Sequence, residues 1–107
     1  MQTARIGKTA VIFTSGRTGE DESGYRAAAQ AMDALAAVQP GYRGMTGVRD
    51  GDGVGITVSY WVDDAAARAW RDHPDHQAIR AAGRGRWYRW YRIEVATIAR
   101  GYDWTRE

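Results

Sequence analysis

Asp50-Gly51-Asp52-Gly53 separates two strand-like runs, YRGMTGVRD (42–50) and VGITVSYWV (54–62), and this break constrains the fold more than any other feature of the chain. Aspartate and glycine between runs of β-branched and aromatic residues mark a β-hairpin, because both tolerate the backbone angles of a tight reversal. In the second arm Val54, Ile56, Val58, Tyr60 and Val62 fall on one face, and Gly55, Thr57, Ser59 and Trp61 on the other. The first face is apolar and calls for a packing partner. The second is small and polar as far as Trp61, which leaves space for a ligand or for close-packed helices.

The hairpin is framed by a strand and helix on each side. KTAVIFTS (8–15) reads as a strand and SGRTGEDESG (15–24) as the loop after it. From Tyr25 the apolar positions Tyr25, Ala28/Ala29, Met32 and Leu35/Ala36 share one helical face. Glu20, Asp21 and Glu22 suit that helix's N-terminus, and Pro40-Gly41 ends it. After the hairpin, Asp63 or Asp64 can cap the helix that begins DAAARAW. Pro74 interrupts that helix, so two short pieces should meet at His73, the N-cap of the second, with Ile79, Gly83 and Trp87 on its inner stripe. WYRWYRIEVATIARGYDW becomes a long last strand from about Tyr91.

Strand, helix, strand, strand, helix, strand is the β-α-β-β-α-β order of an α+β ferredoxin-like fold, with one antiparallel sheet and its helices on one face. The other sheet face has no cover within the chain. The expectation is a homodimer with the two sheets packed face to face.

With 107 residues, one domain spanning 1–107 is expected, with 1–7 as a flexible N-terminus. A net charge of only +2 does not demand nucleic acid. RAAGRGRWYRWYR (80–92) does interleave arginine with aromatics, as single-strand binders do, but VGITVSYWV lacks the strand signature of RNA-recognition modules. Arg80, Arg84, Arg86 and Arg89 are therefore expected on a solvated helix face and helix end, and no nucleic acid partner is expected. The chain has no cysteine, which excludes thiolate metal sites and a cysteine nucleophile. No apolar run approaches the roughly 18 residues of a membrane span, and MQTARIGKTA lacks an apolar signal core, so a cytoplasmic protein without membrane contact is expected.

PGYRG (40–44), GITVSYW (55–61), AAARAWRDHPDHQAI (65–79), GRGRWYRWYRIEV (83–95) and ARGYDW (99–104), in this order and spacing, resemble the antibiotic biosynthesis monooxygenase family of dimeric ferredoxin-like proteins, from about Tyr25 to Trp104. The resemblance implies a homodimer with a pocket in each subunit between sheet and helices. Some members oxygenate polycyclic aromatics without metal, flavin or haem, and others bind and degrade haem. The haem-degrading branch uses an asparagine on the first strand and an iron-binding histidine about ten residues after a tryptophan. Here the first strand has no asparagine and the tenth residue after Trp70 is Arg80, so no cofactor is expected. The anthrone-oxygenating branch also uses an asparagine and a tryptophan near the end of the third strand. This chain offers Trp61 and has no asparagine anywhere.

What the resemblance implies is a cofactor-independent monooxygenase acting with O2 on a small aromatic or polyketide-like substrate. A non-enzymatic ligand-binding or stress-related dimer and a cofactor-free isomerase or cyclase are the alternatives. Such oxygenation needs a base, a dry aromatic cavity and donors for the developing anion. The only two histidines, His73 and His76, lie in WRDHPDHQ (70–77) and are the candidate bases, with Trp70 beside them. Trp61, Trp87, Tyr88 and Tyr91 are candidates to stack on a flat substrate, and Arg84 or Arg86 to steady an anion. The same histidines could instead be an N-cap and a first-turn residue bonded to backbone. A two-histidine metal site would need a third ligand from Asp72, Asp75 or Gln77, and none is expected. Trp61 and Trp70 could equally be core. Trp87, Tyr88, Trp90 and Tyr91 put four rings into five residues, too many for one inward face, so they should divide between pocket and subunit interface.

Overall fold

The computed structural model describes residues 4–107. The chain runs β1 (Thr9–Arg17), α1 (Glu22–Ala37), β2 (Tyr42–Arg49), β3 (Val54–Trp61), α2 (Asp64–Arg71), α3 (Pro74–Ala82), a π-helical turn (Gly83–Trp87) and β4 (Tyr88–Thr97). The four strands form one antiparallel sheet in the order β2-β3-β1-β4. This is the α+β ferredoxin-like arrangement read from the hairpin and its flanks. Of residues 1–7, the first three lie outside the described residues, and 4–7 form a turn in which Gly7 N donates to Ile98 O at 2.8 Å.

Helix ends follow local chemistry. Asp63 caps α2 by accepting from Ala66 N at 2.8 Å, and His73 caps α3 through Nδ1, which accepts from Asp75 N at 3.1 Å. Pro74 occupies the start of α3, where a missing N–H costs nothing. Asp21 caps α1 from a left-handed conformation with φ 53°.

Three boundaries differ from the sequence reading. β1 does not stop at Ser15 but continues through Gly16 and Arg17, because pairing with β3 and β4 overrides the local preference of Ser-Gly for a loop. Gly16 is needed there: a Cβ would stand 2.4 Å from the Trp90 indole nitrogen. α1 begins at Glu22 rather than Tyr25. β4 begins at Tyr88 rather than Tyr91 and ends at Thr97, short of the ARGYDW segment.

β4 also contains a bulge. Gly16 pairs with Trp90 but Arg17 pairs with Tyr88, so β4 carries one extra residue, Arg89. The extra residue breaks strict alternation. Tyr88 and Tyr91 therefore face the helices together, and Trp90 lies against Gly16 on the opposite face.

The core is concentrated at one end of the sheet, where Trp61 is fully buried and clusters with Ala36, Ala67 and Trp70. Trp61 stacks on Trp70 with centroids 6.2 Å apart, meets Tyr42 edge-on, and donates from Nε1 to Ser59 Oγ at 3.0 Å. The α1–β2 connection passes over this cluster through Gly41, at φ +83°, where a Cβ would stand 2.6 Å from Ala66 Cβ. Gly41→Ala combines a left-handed backbone with a backbone-proximal clash and should cost about 1–3 kcal/mol, measured as a lower midpoint in denaturant with unchanged slope.

The helices cover only one face. On the other, Val48, Val54, Ile56 and Trp90 remain exposed, alongside an Arg92–Glu94 ion pair at 3.4 Å. That apolar surface is the face of β3 which the alternation marked as needing a partner.

Candidate functional site

Between sheet and helices lies a cavity of about 200 Å³. α1 contributes Tyr25, Ala28, Ala29 and Met32, the face read as its apolar stripe, together with Asp33. Of the residues proposed from sequence, Trp70, His76, Trp87, Tyr88 and Tyr91 line it, and Trp61, His73 and Arg84 do not. Trp61 belongs to the core beneath Trp70. His73 is occupied as a helix cap. Arg84 lies at the surface and donates from Nη1 to Tyr91 Oη at 2.9 Å.

His76 is held in a defined state. Its Nδ1 lies 3.0 Å from the Trp70 carbonyl oxygen, which can only accept, so Nδ1 carries the proton. Its ring stacks on the Trp70 indole at 4.4 Å between centroids with 17° between planes. Burial lowers its pKa below the usual histidine value, against the Trp70 carbonyl, which favours the charged form; Arg80 and His73 lower it further. Nε2 has no hydrogen-bond partner among the described residues. The result is a neutral imidazole, anchored on one nitrogen, with its lone pair unengaged in a cavity wall.

At the other end of the sheet the cavity is built around Arg49, which sequence reasoning passed over. Arg49, at the end of β2, donates from Nη2 to Ser15 Oγ at 2.8 Å and to Tyr25 Oη at 3.4 Å, and from Nη1 to the carbonyl oxygens of Ser15 and Gly53. Gly55 lies opposite and makes room: a Cβ there would stand 2.7 Å from the Arg49 guanidinium carbon. Arg17, buried under the same ring, places its guanidinium 3.4 Å from the Tyr25 centroid and pairs with Glu22 at 3.1 Å. Tyr88 meets Tyr25 edge-on at 6.1 Å between centroids, and burial first, then Tyr25, pushes its pKa up, so Tyr88 keeps its proton. Trp87 closes this end beneath Tyr25, its Nε1 donating to Asp21 Oδ2 at 3.2 Å, a bond that helps hold the Asp21 carboxyl below its usual pKa.

Arg80, expected on a solvated face, instead lines the cavity. Its Nη2 donates to the Arg71 carbonyl at 3.0 Å, which bends the side chain back along α3, and its buried Nε has no partner among the described residues. Asp33 also reaches the cavity wall, and burial raises its pKa. Among the described residues no group of three or more His, Asp or Glu side chains is placed to hold a metal ion.

The family model described as antibiotic biosynthesis monooxygenase matches residues 9–82, more than half of the chain. The chain belongs to the antibiotic biosynthesis monooxygenase family. It is 47% identical over 91 residues to the uncharacterized protein YqjZ of Bacillus subtilis, covering 85% of this chain and 79% of that protein. Its fold is similar to SnoaB, a cofactor-independent oxygenase from Streptomyces nogalater, at TM-score 0.72 and 18% identity over 85% of this chain and 92% of that one. Rv0793 from Mycobacterium tuberculosis is similar at TM-score 0.73 and 20% identity, over 84% and 93%. Where the sequence resemblance to haem-degrading members looks for a histidine, ten residues after Trp70, stands Arg80, and a guanidinium has no lone pair to give a metal. The residues present do not fit that mode of haem ligation. No helix among the described residues is long and apolar enough to cross a membrane.

Proposed function

We propose that this family member is a cofactor-independent monooxygenase acting on a small aromatic or polyketide-like substrate, with His76 as its general base. The observation that carries the reading is the setting of His76: Nδ1 tied to the Trp70 carbonyl at 3.0 Å, Nε2 without a partner among the described residues, and the ring in the wall of an aromatic cavity whose burial lowers its pKa. An activated methylene beside an aryl carbonyl loses a proton to Nε2 and becomes an enolate. That carbanion equivalent is itself the reductant for O2. One oxygen atom enters the product as a new carbonyl, the other leaves as water with the two methylene hydrogens, and no external electron donor is consumed. Trp70, Trp87 and Tyr91 supply the flat walls, and Arg80 presents a cation to the charge that develops.

The test is oxygen uptake by the purified protein with an anthrone-type ketone. Stoichiometric O2 consumption with formation of the quinone supports the reading. Turnover that persists without oxygen would reassign the base to an isomerase or cyclase, and saturable binding with no turnover would make the chain a ligand-binding protein.

The same reading includes a homodimer joined through the exposed sheet face. Val48, Val54 and Ile56 on adjacent strands offer an apolar patch of the kind that small soluble proteins cover by self-association. Ile56→Glu is expected to convert a dimeric species into a monomer in light scattering coupled to size exclusion. A variant that elutes unchanged would remove this face from the interface.

A further inference from the structure

The polar cluster at the Arg49 end of the cavity has no part in the chemistry assigned to His76, yet its hydrogen bonds are arranged in one direction. Tyr25 Oη accepts from Arg49 Nη2 at 3.4 Å. Tyr88 lies beside it, its ring meeting the Tyr25 ring edge-on at 6.1 Å between centroids. A phenolic oxygen has two acceptor directions and one proton. Arg49 can only donate, so the Tyr25 proton is left for another acceptor, and Tyr25 lines the cavity. Donation into Tyr25 Oη by a guanidinium polarises its O–H and makes it a stronger donor. The ring itself cannot drift, because Arg17 lies 3.4 Å beneath it and Trp87 packs edge-on against it.

We infer that Tyr25 is a substrate-binding hydrogen-bond donor, backed by Arg49, that holds the carbonyl or enolate oxygen of the substrate. Sheet register places this donor away from the base. Arg49 pairs with Gly55 at the start of β3, whereas His76 stacks on Trp70, which stacks on Trp61 at the end of β3. A conjugated ligand spanning the cavity meets a base at one end and a polarised donor at the other. Charge created by proton removal at His76 is then delivered through the ring system to an oxygen on Tyr25. The ligand class is an enolisable aryl ketone, for which a phenolate is a stable stand-in. This assignment rests on the proposed reaction only for the direction of charge flow; oxygen binding by Tyr25 is testable without turnover.

The probe is 4-nitrophenol, titrated anaerobically with its visible phenolate band as the readout. Other charged groups at the cavity wall are Arg80 and Asp33, and Glu22 is engaged by Arg17, so Arg80→Gln serves as a separate arm. Wild-type protein should bind the phenolate form and lower the pH at which the bound probe ionises. Tyr25→Phe keeps the ring over Arg17 and should weaken phenolate binding by about 10- to 100-fold, the range for a hydrogen bond to a charged group. Tyr88→Phe keeps the edge-on ring contact and the Arg49 bond to Tyr25, and should change it by a smaller factor. Equal phenolate affinity in wild type and Tyr25→Phe overturns the assignment, as does loss confined to Arg80→Gln or to Tyr88→Phe. Failure of the wild type to bind the phenolate overturns it too. If the probe behaves as expected while no aryl ketone supports O2 uptake, the oxygenase reading falls and the role of Tyr25 stands.

Discussion

His76→Gln should lower kcat by about 10²- to 10⁴-fold, the usual contribution of a positioned general base, while leaving the fold almost as stable as before. Glutamine can still donate from its amide toward the Trp70 carbonyl, so what is lost is the basic nitrogen. The pH profile gives the sharper test. Burial holds the His76 pKa below the usual histidine value of 6.5, so the base is already unprotonated at neutral pH. Activity should rise with pH along a limb lying below 6.5 and be level above it, and the variant's residual activity should lack that limb. Stability carries the same signature with a definite sign. The unfolded chain takes up the proton near 6.5 and the folded chain only at lower pH, so acidification through that window favours unfolding. His76 thus contributes stability that is complete above 6.5 and lost as pH falls below it. Urea midpoints measured across this window should slope for wild type and flatten for His76→Gln. An unaltered kcat with a lowered midpoint would make His76 a tie between α3 and Trp70 and nothing more.

Trp61→Ala should show the opposite pattern, a collapse of stability as the primary effect. Trp61 is fully buried, stacks on Trp70, meets Tyr42 edge-on and satisfies its indole N–H on Ser59, so truncation leaves a large void and an unpaired serine hydroxyl in one step. Large-to-small changes of this kind cost about 3–5 kcal/mol. A chain of this size loses on the order of 15 °C in Tm for that amount. Calorimetry would measure it directly. Because Trp61 supports Trp70, and Trp70 supports His76, any folded remainder should also lose activity. A Tm within a few degrees of wild type would mean that Trp70 and Tyr42 close over the gap.

What the sequence revealed of this molecule was local, and what it concealed depended on register. The hairpin at Asp50–Gly53, the cap at Asp63 and the helix junction at His73-Pro74 each follow from residues within a few positions of one another. So does the apolar stripe of α1, which reached the cavity as its spacing required. Arg49 and Arg80 were not legible, because an arginine at a strand end or on a helix looks solvated until its neighbours are known. Arg49 faces inward only because β2 and β3 pair across the irregularity between Tyr42 and Met45, which aligns it with Gly55. The one trace of this in the sequence was Gly55 itself, a small residue facing a space that something had to fill. Tyr88 and Tyr91 were both named, but strict alternation would have set them on opposite faces of a regular strand, and only the bulge reunites them.

That bulge also gives the chain a place to change length. Arg89 is supernumerary to the pairing between β1 and β4, so its deletion would return the strand to regular alternation with Arg17 still opposite Tyr88 and Gly16 still opposite Trp90. A single-residue deletion between Tyr91 and Thr97 would instead invert every side chain on one side of it. Loss of Arg89 would therefore shorten the chain beside the cavity without exchanging its ring-bearing wall for the outer surface, and a chain one residue shorter at this point would keep the same tyrosines in place.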